Sequence, residues 1–396
     1  MSVSDRVIAI SVGAFAAVAY LVAGAGLATD YDYFGRLAAA FLAGHWWLDE
    51  APSWLNELIA CGDGRWCVVY PPLPAILSLP FVPFVPSAYA QVLASRVAGG
   101  ASAAPLYLAL RAYGAPKAWS IAGTLLSAFG TTLFFSSVDG RAWYAAHAAS
   151  IGFAAAGFLV AARGGRPALA GALLGVAALG RLPVAAATPG LALLLARRTG
   201  LSYRRALGGM VLGGLPFALV YAGYNLLRWG TPFDAGYARL IEDDVFFTQG
   251  LFSPLYLPRQ LVALFLEPPD IVLATPFFLI PHYVGMSLFL TTPAFLWIFL
   301  ALREVRRDAV VAATGVAALG ALLPDLLHGT VGFQQFGYRF SIDAQPFLVA
   351  LAISGDGLRH GAWRRWPRLL FIAAIVVSFA VNLYGTIAIT RFGYWD

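Results

Sequence analysis

The chain has 396 residues, 60% of them hydrophobic and only 12% charged, whereas a soluble domain carries about 25% charged residues. This excludes a water-soluble core and leaves a polytopic membrane protein: a helix crossing hydrocarbon needs about 20 apolar residues, so roughly ten crossings fit. The net charge of +6 lies in short basic clusters between apolar runs rather than in a basic domain or stripe, which excludes nucleic acid as the partner and marks topology instead.

In chain order, Arg6 precedes an apolar run at 7–28. Ala23, Ala25 and Ala28 imitate a signal-peptide cleavage site, but the run is longer than a signal core, so it is read as an uncleaved first span. Further apolar runs, bounded by charge or by Pro and Gly, lie at 87–110, 118–137, 144–162, 167–180, 183–196, 206–227, 284–302, 309–328, 344–355 and 369–390. The expectation is an all-α bundle of about eleven transmembrane helices forming one polytopic domain over 1–396. The runs 167–180, 183–196 and 344–355 are short for a square crossing and read as tilted or re-entrant.

With a cytoplasmic N-terminus, sixteen of the 26 basic residues fall in inside segments, among them Arg163, Arg166, Arg197, Arg198, Arg359 and Arg364. Only four of the 20 acids join them: Asp5, Glu304, Asp308 and Asp356. This positive-inside distribution places the C-terminal Asp396 outside the cytoplasmic membrane. Two outer loops, 29–86 and 228–283, are long, and function is expected on them, since binding groups sit on loops held by a rigid scaffold. No phosphate-cradling glycine motif is present, which argues against cytoplasmic nucleotide chemistry, and the absence of an internal repeat weighs against transporters built from duplicated halves.

The first outer loop opens with Asp30 and Asp32 where the chain leaves the membrane. Phe34, Leu37, Ala38, Phe41 and Leu42 then recur at helical spacing, predicting a short interfacial helix followed by His45, Trp46 and Trp47 at headgroup level. Thr29 or Asp30 suits the cap of its first turn. The same carboxylates suit a second task, taking a proton from an acceptor hydroxyl while a lipid-borne group is presented from the bilayer. Cys61 and Cys67, the two cysteines of the chain, bound the segment CGDGRWC and form either a small disulfide loop or two free thiols; without a second ligand pair they do not complete a zinc site. The segment YPPLP at 70–74, followed by Pro80, Pro83 and Pro86, predicts a bent, re-entering stretch before the second span.

This order of features resembles the start of the GT-C glycosyltransferases: an N-terminal span, D-x-D-Y-F at 30–34, a helix ending FLAGHW at 41–46, and YPPLP at 70–74. The similarity is closest to bacterial relatives of protein O-mannosyltransferases and of the lipid A aminoarabinose transferase. Later pieces also look like this class: GRLP at 180–183, N-x-x-R-x-G-x-P-F at 225–233 and FGYRF at 336–340. One departure is that relatives commonly show Asp-Glu at the catalytic position, where this chain has Asp30, Tyr31 and Asp32.

The resemblance implies an inverting, hexosyl- or mannosyl-type transferase that moves a sugar from a polyprenyl-phosphate carrier to an acceptor glycan, lipid or protein on the outer face. It implies Asp30 or Asp32 as base, Arg339, Arg181, Arg228 and Arg36 as candidates for the donor phosphate, and His45, Tyr70 and Tyr338 as substrate contacts. Arginine suits the phosphate because its planar fork binds oxyanions and tolerates low dielectric; a structural pairing of Arg339 with Asp343 or Asp325 is the competing role. Asp243, Asp244, Glu267 and Asp270 read as solvated loop acids; no cofactor is called for, and a divalent metal stays open without a ligand spacing that fixes one. The rival class is a transporter or lipid flippase, against which stands the scarcity of ionisable residues within spans, Arg96 apart. A non-catalytic membrane scaffold is the third reading.

Overall fold

The computed structural model describes residues 2–242, 244–273, 275, 278–355 and 365–393, so Asp243, Asp356, Arg359, Arg364 and Asp396 lie outside the described residues. The first half contains α1 (Val3–Ala23), α2 (Tyr33–Leu42), β1 (Leu58–Gly62), β2 (Arg65–Val68), α3 (Leu73–Ser78), α4 (Ser87–Ala101), α5 (Ala103–Tyr113), α6 (Lys117–Phe129), α7 (Leu133–Asp139), α8 (Ala142–Ala162) and α9 (Pro167–Ala178). The second contains α10 (Thr188–Thr199), α11 (Tyr203–Trp229), α12 (Ala235–Leu240), α13 (Leu257–Phe265), β3 (Pro269–Ile271), β4 (Leu279–Pro281), α14 (Leu288–Thr291), α15 (Ile298–Glu304), α16 (Ala309–Leu326), α17 (Gln345–Ser354) and α18 (Arg365–Phe392).

Among the described residues five helices, α1, α8, α11, α16 and α18, are long and apolar enough to cross a membrane; α6 and α7, bent by 46° at a short break, make a sixth if taken together. Their outward faces are apolar, with Ile10 and Val18 exposed on α1 and Leu212 and Leu219 on α11, the arrangement expected of helices solvated by lipid. The remaining expected spans form as shorter or broken helices. The run 87–110 divides at Ser102 into α4 and α5. The run 284–302 breaks into α14, a 3-10 turn at Pro293–Trp297, and α15. There α18 supplies the missing hydrogen bonds: Asn382 Nδ2 donates to the Thr291 carbonyl at 2.6 Å, and Ser378 Oγ accepts from the Ala294 N–H at 3.2 Å. Irregular backbone is tolerated at such depth when neighbouring side chains satisfy it.

α8 lies at the centre of the bundle and is the most enclosed of the long helices, whereas α11 is peripheral. α9 packs against both, and its approach to α11 is backbone to backbone: a Cβ on Gly171 would stand 1.9 Å from the Met210 carbonyl, and one on Gly213 1.9 Å from that of Ala168. Arg96 inside α4 is buried and donates to the Val138 carbonyl at 3.0 Å and the Leu27 carbonyl at 3.2 Å.

The two long loops hold structure that helical periodicity does not announce. β1 and β2 form an antiparallel hairpin, Ile59 opposite Cys67, closed by the Cys61–Cys67 disulfide, which decides between bridge and free thiols. Its turn runs through Gly62, Asp63 and Gly64, all at positive φ, which glycine adopts without steric cost. β3 and β4 pair in the second loop. α2 forms as expected, but its apolar face, Phe34, Leu37 and Ala38, packs on Leu48, Leu58, Val68 and Ala142 of the protein rather than lying in an interface. Neither Thr29 nor Asp30 caps it, because the helix begins at Tyr33. The free N–H groups of Phe34 and Gly35 donate instead to Gln91 Oε1 of α4, at 2.8 and 3.2 Å.

Candidate active site

The long loops and the helix ends beside them enclose a cavity of about 570 Å³, within the usual range for a small-molecule site. Its wall is assembled from distant parts of the chain. Tyr31 precedes α2, Glu57 and Tyr70 belong to the first long loop, and Trp143 lies in the first turn of α8. Arg181 follows α9, Asp234, Tyr237 and Asp244 come from the second loop, Asp325 and His328 from the end of α16, and Arg339 from the 3-10 turn Arg339–Ala344.

The two arginines in this wall differ in their partners. Arg181 is neutralised: Nη2 lies 2.8 Å from both Asp325 Oδ1 and Asp343 Oδ2, Nε donates to Asp343 Oδ2 at 2.9 Å, and His147 Nδ1 meets the other Asp343 oxygen at 2.7 Å. The structural role weighed for Arg339, a partner of Asp343 or Asp325, belongs to Arg181. Arg339 is 7% exposed and has no carboxylate within 4 Å among the described residues. Its Nη1 donates to Gln335 Oε1 at 3.1 Å and to the Phe333 carbonyl at 3.3 Å, and its guanidinium faces the rings of Tyr144 and Phe340, each 5.3 Å away. Nε has no partner, and no described residue accepts from Nη2. A buried cation without a counter-anion is costly, and a guanidinium in a cavity wall with Nη2 unengaged is suited to an oxyanion.

Opposite in charge stands Glu57. Its Oε2 accepts from Trp143 Nε1 at 2.8 Å and from the Tyr70 hydroxyl, and its backbone N–H donates to the Tyr33 hydroxyl at 3.1 Å. Burial pushes the Glu57 carboxyl above its usual range, against the lowering effect of the Tyr70 and Trp143 hydrogen bonds and of the nearby Arg339 charge. Burial, followed by the Glu57 charge, likewise raises the Tyr70 hydroxyl.

The structure brings Arg339, Arg181 and Tyr70 together in the cavity wall and leaves the other expected residues off it. Asp30 is exposed, next to Tyr31 of the wall. Asp32 is buried, with Arg36 Nε 2.7 Å from one oxygen and the Ser87 hydroxyl on the other. Arg228 donates to Asn225 Oδ1 at 2.6 Å and to the carbonyls of Val68 and Tyr70, stitching α11 to the first loop. His45 stacks on Trp47 with centroids 4.8 Å apart, and the buried Tyr338 donates to Gln260 Oε1 at 2.8 Å. Of the loop acids read as solvated, Asp244 lines the cavity, while Glu267 and Asp270 flank His282 at 2.5 and 3.3 Å. The Glu267 contact, foremost, raises the His282 pKa. Among the described residues no three His, Cys, Asp or Glu side chains come together as a metal site.

Glu57, Trp143, Tyr237 and His328 were not singled out in the sequence. None stands in a spaced motif; what places them is the meeting of two loops with the ends of α8 and α16. Aromatic residues flanking an acid in an outer loop were the available signal.

No family model matches the chain, and no curated protein does. Two solved structures of the oligosaccharyltransferase of Archaeoglobus fulgidus are similar to it. One, tethered to an acceptor peptide containing the NVT sequon, matches with a TM-score of 0.49 and 14% identity over 96% of this chain and 55% of that one. The other, a complex with Zn and sulfate, matches with a TM-score of 0.48 and 12% identity over 95% and 53%. The chain therefore spans about half the length of those structures.

Proposed function

We propose that this chain is a membrane glycosyltransferase that takes a sugar from a polyprenyl-phosphate carrier and passes it to an acceptor outside the cytoplasmic membrane. The observation that carries the reading is Arg339: a buried guanidinium without a carboxylate partner among the described residues and unengaged at Nη2, in the wall of a 570 Å³ cavity. Such a group binds the carrier's phosphate and holds the charge that grows on it as the bond to the sugar breaks. Arg181, already matched by two aspartates, fixes the wall beside it. The apolar outer faces of the long helices supply the lipid setting in which a polyprenyl chain is delivered. Proton acceptance is assigned to Asp30, which is exposed beside Tyr31 at the cavity margin, while Asp32, off the cavity, is engaged by Arg36 and Ser87. The sequence resemblance to GT-C enzymes supports the same reading.

The test is to supply the purified, membrane-reconstituted protein with radiolabelled polyprenyl-phosphate mannose and a cell-envelope acceptor fraction. Release of polyprenyl phosphate coupled to labelled product, lost in Arg339→Ala, is the expected result. Movement of intact donor across the vesicle without cleavage would establish the flippase instead.

A further inference from the structure

The cavity has a second pole whose chemistry is not that of phosphate. Glu57 Oε2 is held from two directions, by Trp143 Nε1 at the start of α8 and by the Tyr70 hydroxyl ahead of α3, and no described residue donates to Oε1. A carboxylate with one oxygen locked and the other free is an acceptor of fixed direction. Beside it, Tyr31 and Trp143 pack with ring centroids 4.9 Å apart, and both line the cavity. The other loop carboxylates in the wall are already engaged locally: Asp234 accepts from the Tyr221 hydroxyl at 2.6 Å and from the Tyr237 N–H at 3.3 Å, and Asp244 Oδ1 from the Phe246 N–H at 2.8 Å.

An aromatic surface next to a pre-set acceptor is complementary to a ligand that has apolar C–H faces and donating hydroxyls on one ring. We infer that the wall formed by Glu57, Trp143, Tyr70 and Tyr31 is the subsite that reads the hydroxyls of the transferred sugar, with Glu57 Oε1 accepting from one of them while Arg339 holds the phosphate. This rests on the transferase reading, and it assigns Glu57 to recognition, leaving proton removal from the acceptor to another group. Glu57 and Arg339 line the same cavity, as required of two groups that hold neighbouring parts of one donor.

The experiment compares polyprenyl-phosphate mannose with its monodeoxy analogues in wild type, Glu57→Gln and Trp143→Phe, with farnesyl phosphate binding as the measure of an intact phosphate pole. A removed hydroxyl leaves a buried acceptor unsatisfied, so wild type discriminates against one analogue by about 10- to 100-fold in kcat/KM. Glu57→Gln abolishes that discrimination while farnesyl phosphate still binds. Trp143→Phe, which keeps the ring but removes one of the two donors on Oε2, reduces it partway. Wild type that treats all analogues alike, or variants that discriminate as wild type does, overturn this assignment and leave the transferase standing. Absence of any donor cleavage by wild type overturns the transferase reading and the subsite with it.

Discussion

Replacing each arginine of the cavity by methionine separates a ligand-binding charge from a structural one. In Arg339→Met the unengaged Nη2 donor is lost; one charge-assisted hydrogen bond of about 1.5–3 kcal/mol is about 10- to 100-fold in prenyl phosphate affinity. Stability changes little, within about 1 kcal/mol, because relief of a buried, unpaired cation offsets the loss of the bonds to Phe333 and Gln335. In Arg181→Met the ranking reverses. Asp325 and Asp343 are left buried against each other with no cation between them, a loss of about 3–5 kcal/mol. Thermal unfolding of the reconstituted proteins, together with calorimetric titration of farnesyl phosphate, reads both quantities. If Arg339→Met unfolds as early as Arg181→Met, or binds farnesyl phosphate as wild type does, the assignment of Arg339 to the phosphate is refuted.

Cys61→Ser opens a loop of sequence separation 6; about 2–3 kcal/mol of local stability is lost from the β1–β2 hairpin, read as faster proteolysis between Leu58 and Val68, whereas in wild type neither thiol takes up maleimide before reduction. His282 has its folded pKa raised by Glu267 above the ordinary 6.5, so its contact contributes fully below that value and is lost as pH rises through the higher folded one. Proteolysis of the second long loop near β3 and β4 therefore accelerates as pH rises above the ordinary histidine range, and His282→Gln removes that dependence. Gly213→Leu forces a side chain into the Ala168 carbonyl and separates α9 from α11, lowering the melting temperature, while Gly208→Leu, where a Cβ meets nothing within 4 Å, does not.

Hydropathy alone located α1, α8, α11, α16 and α18, because a chain in hydrocarbon must satisfy its backbone within each segment, and that demand is local and periodic. The helix at Tyr33–Leu42 was legible for the same reason, from one apolar face. Its cap was not, since Gln91 reaches it from a helix 57 residues along the chain. Where breaks in spans are healed by Ser378 and Asn382, spacing gives no warning, because the partner belongs to another segment. The site shows the same division. That arginines would matter was readable from their scarcity in apolar sequence, but which one is free depends on Asp325 and Asp343 closing on Arg181 from 144 and 162 residues away. Likewise Asp32 and Glu57 are equally acidic on paper; Arg36 and Ser87 engage one, and Tyr70 and Trp143 hold the other toward the cavity. Local pattern determines where the chain can cross a membrane, whereas the partner of a buried charge is decided only when distant segments meet.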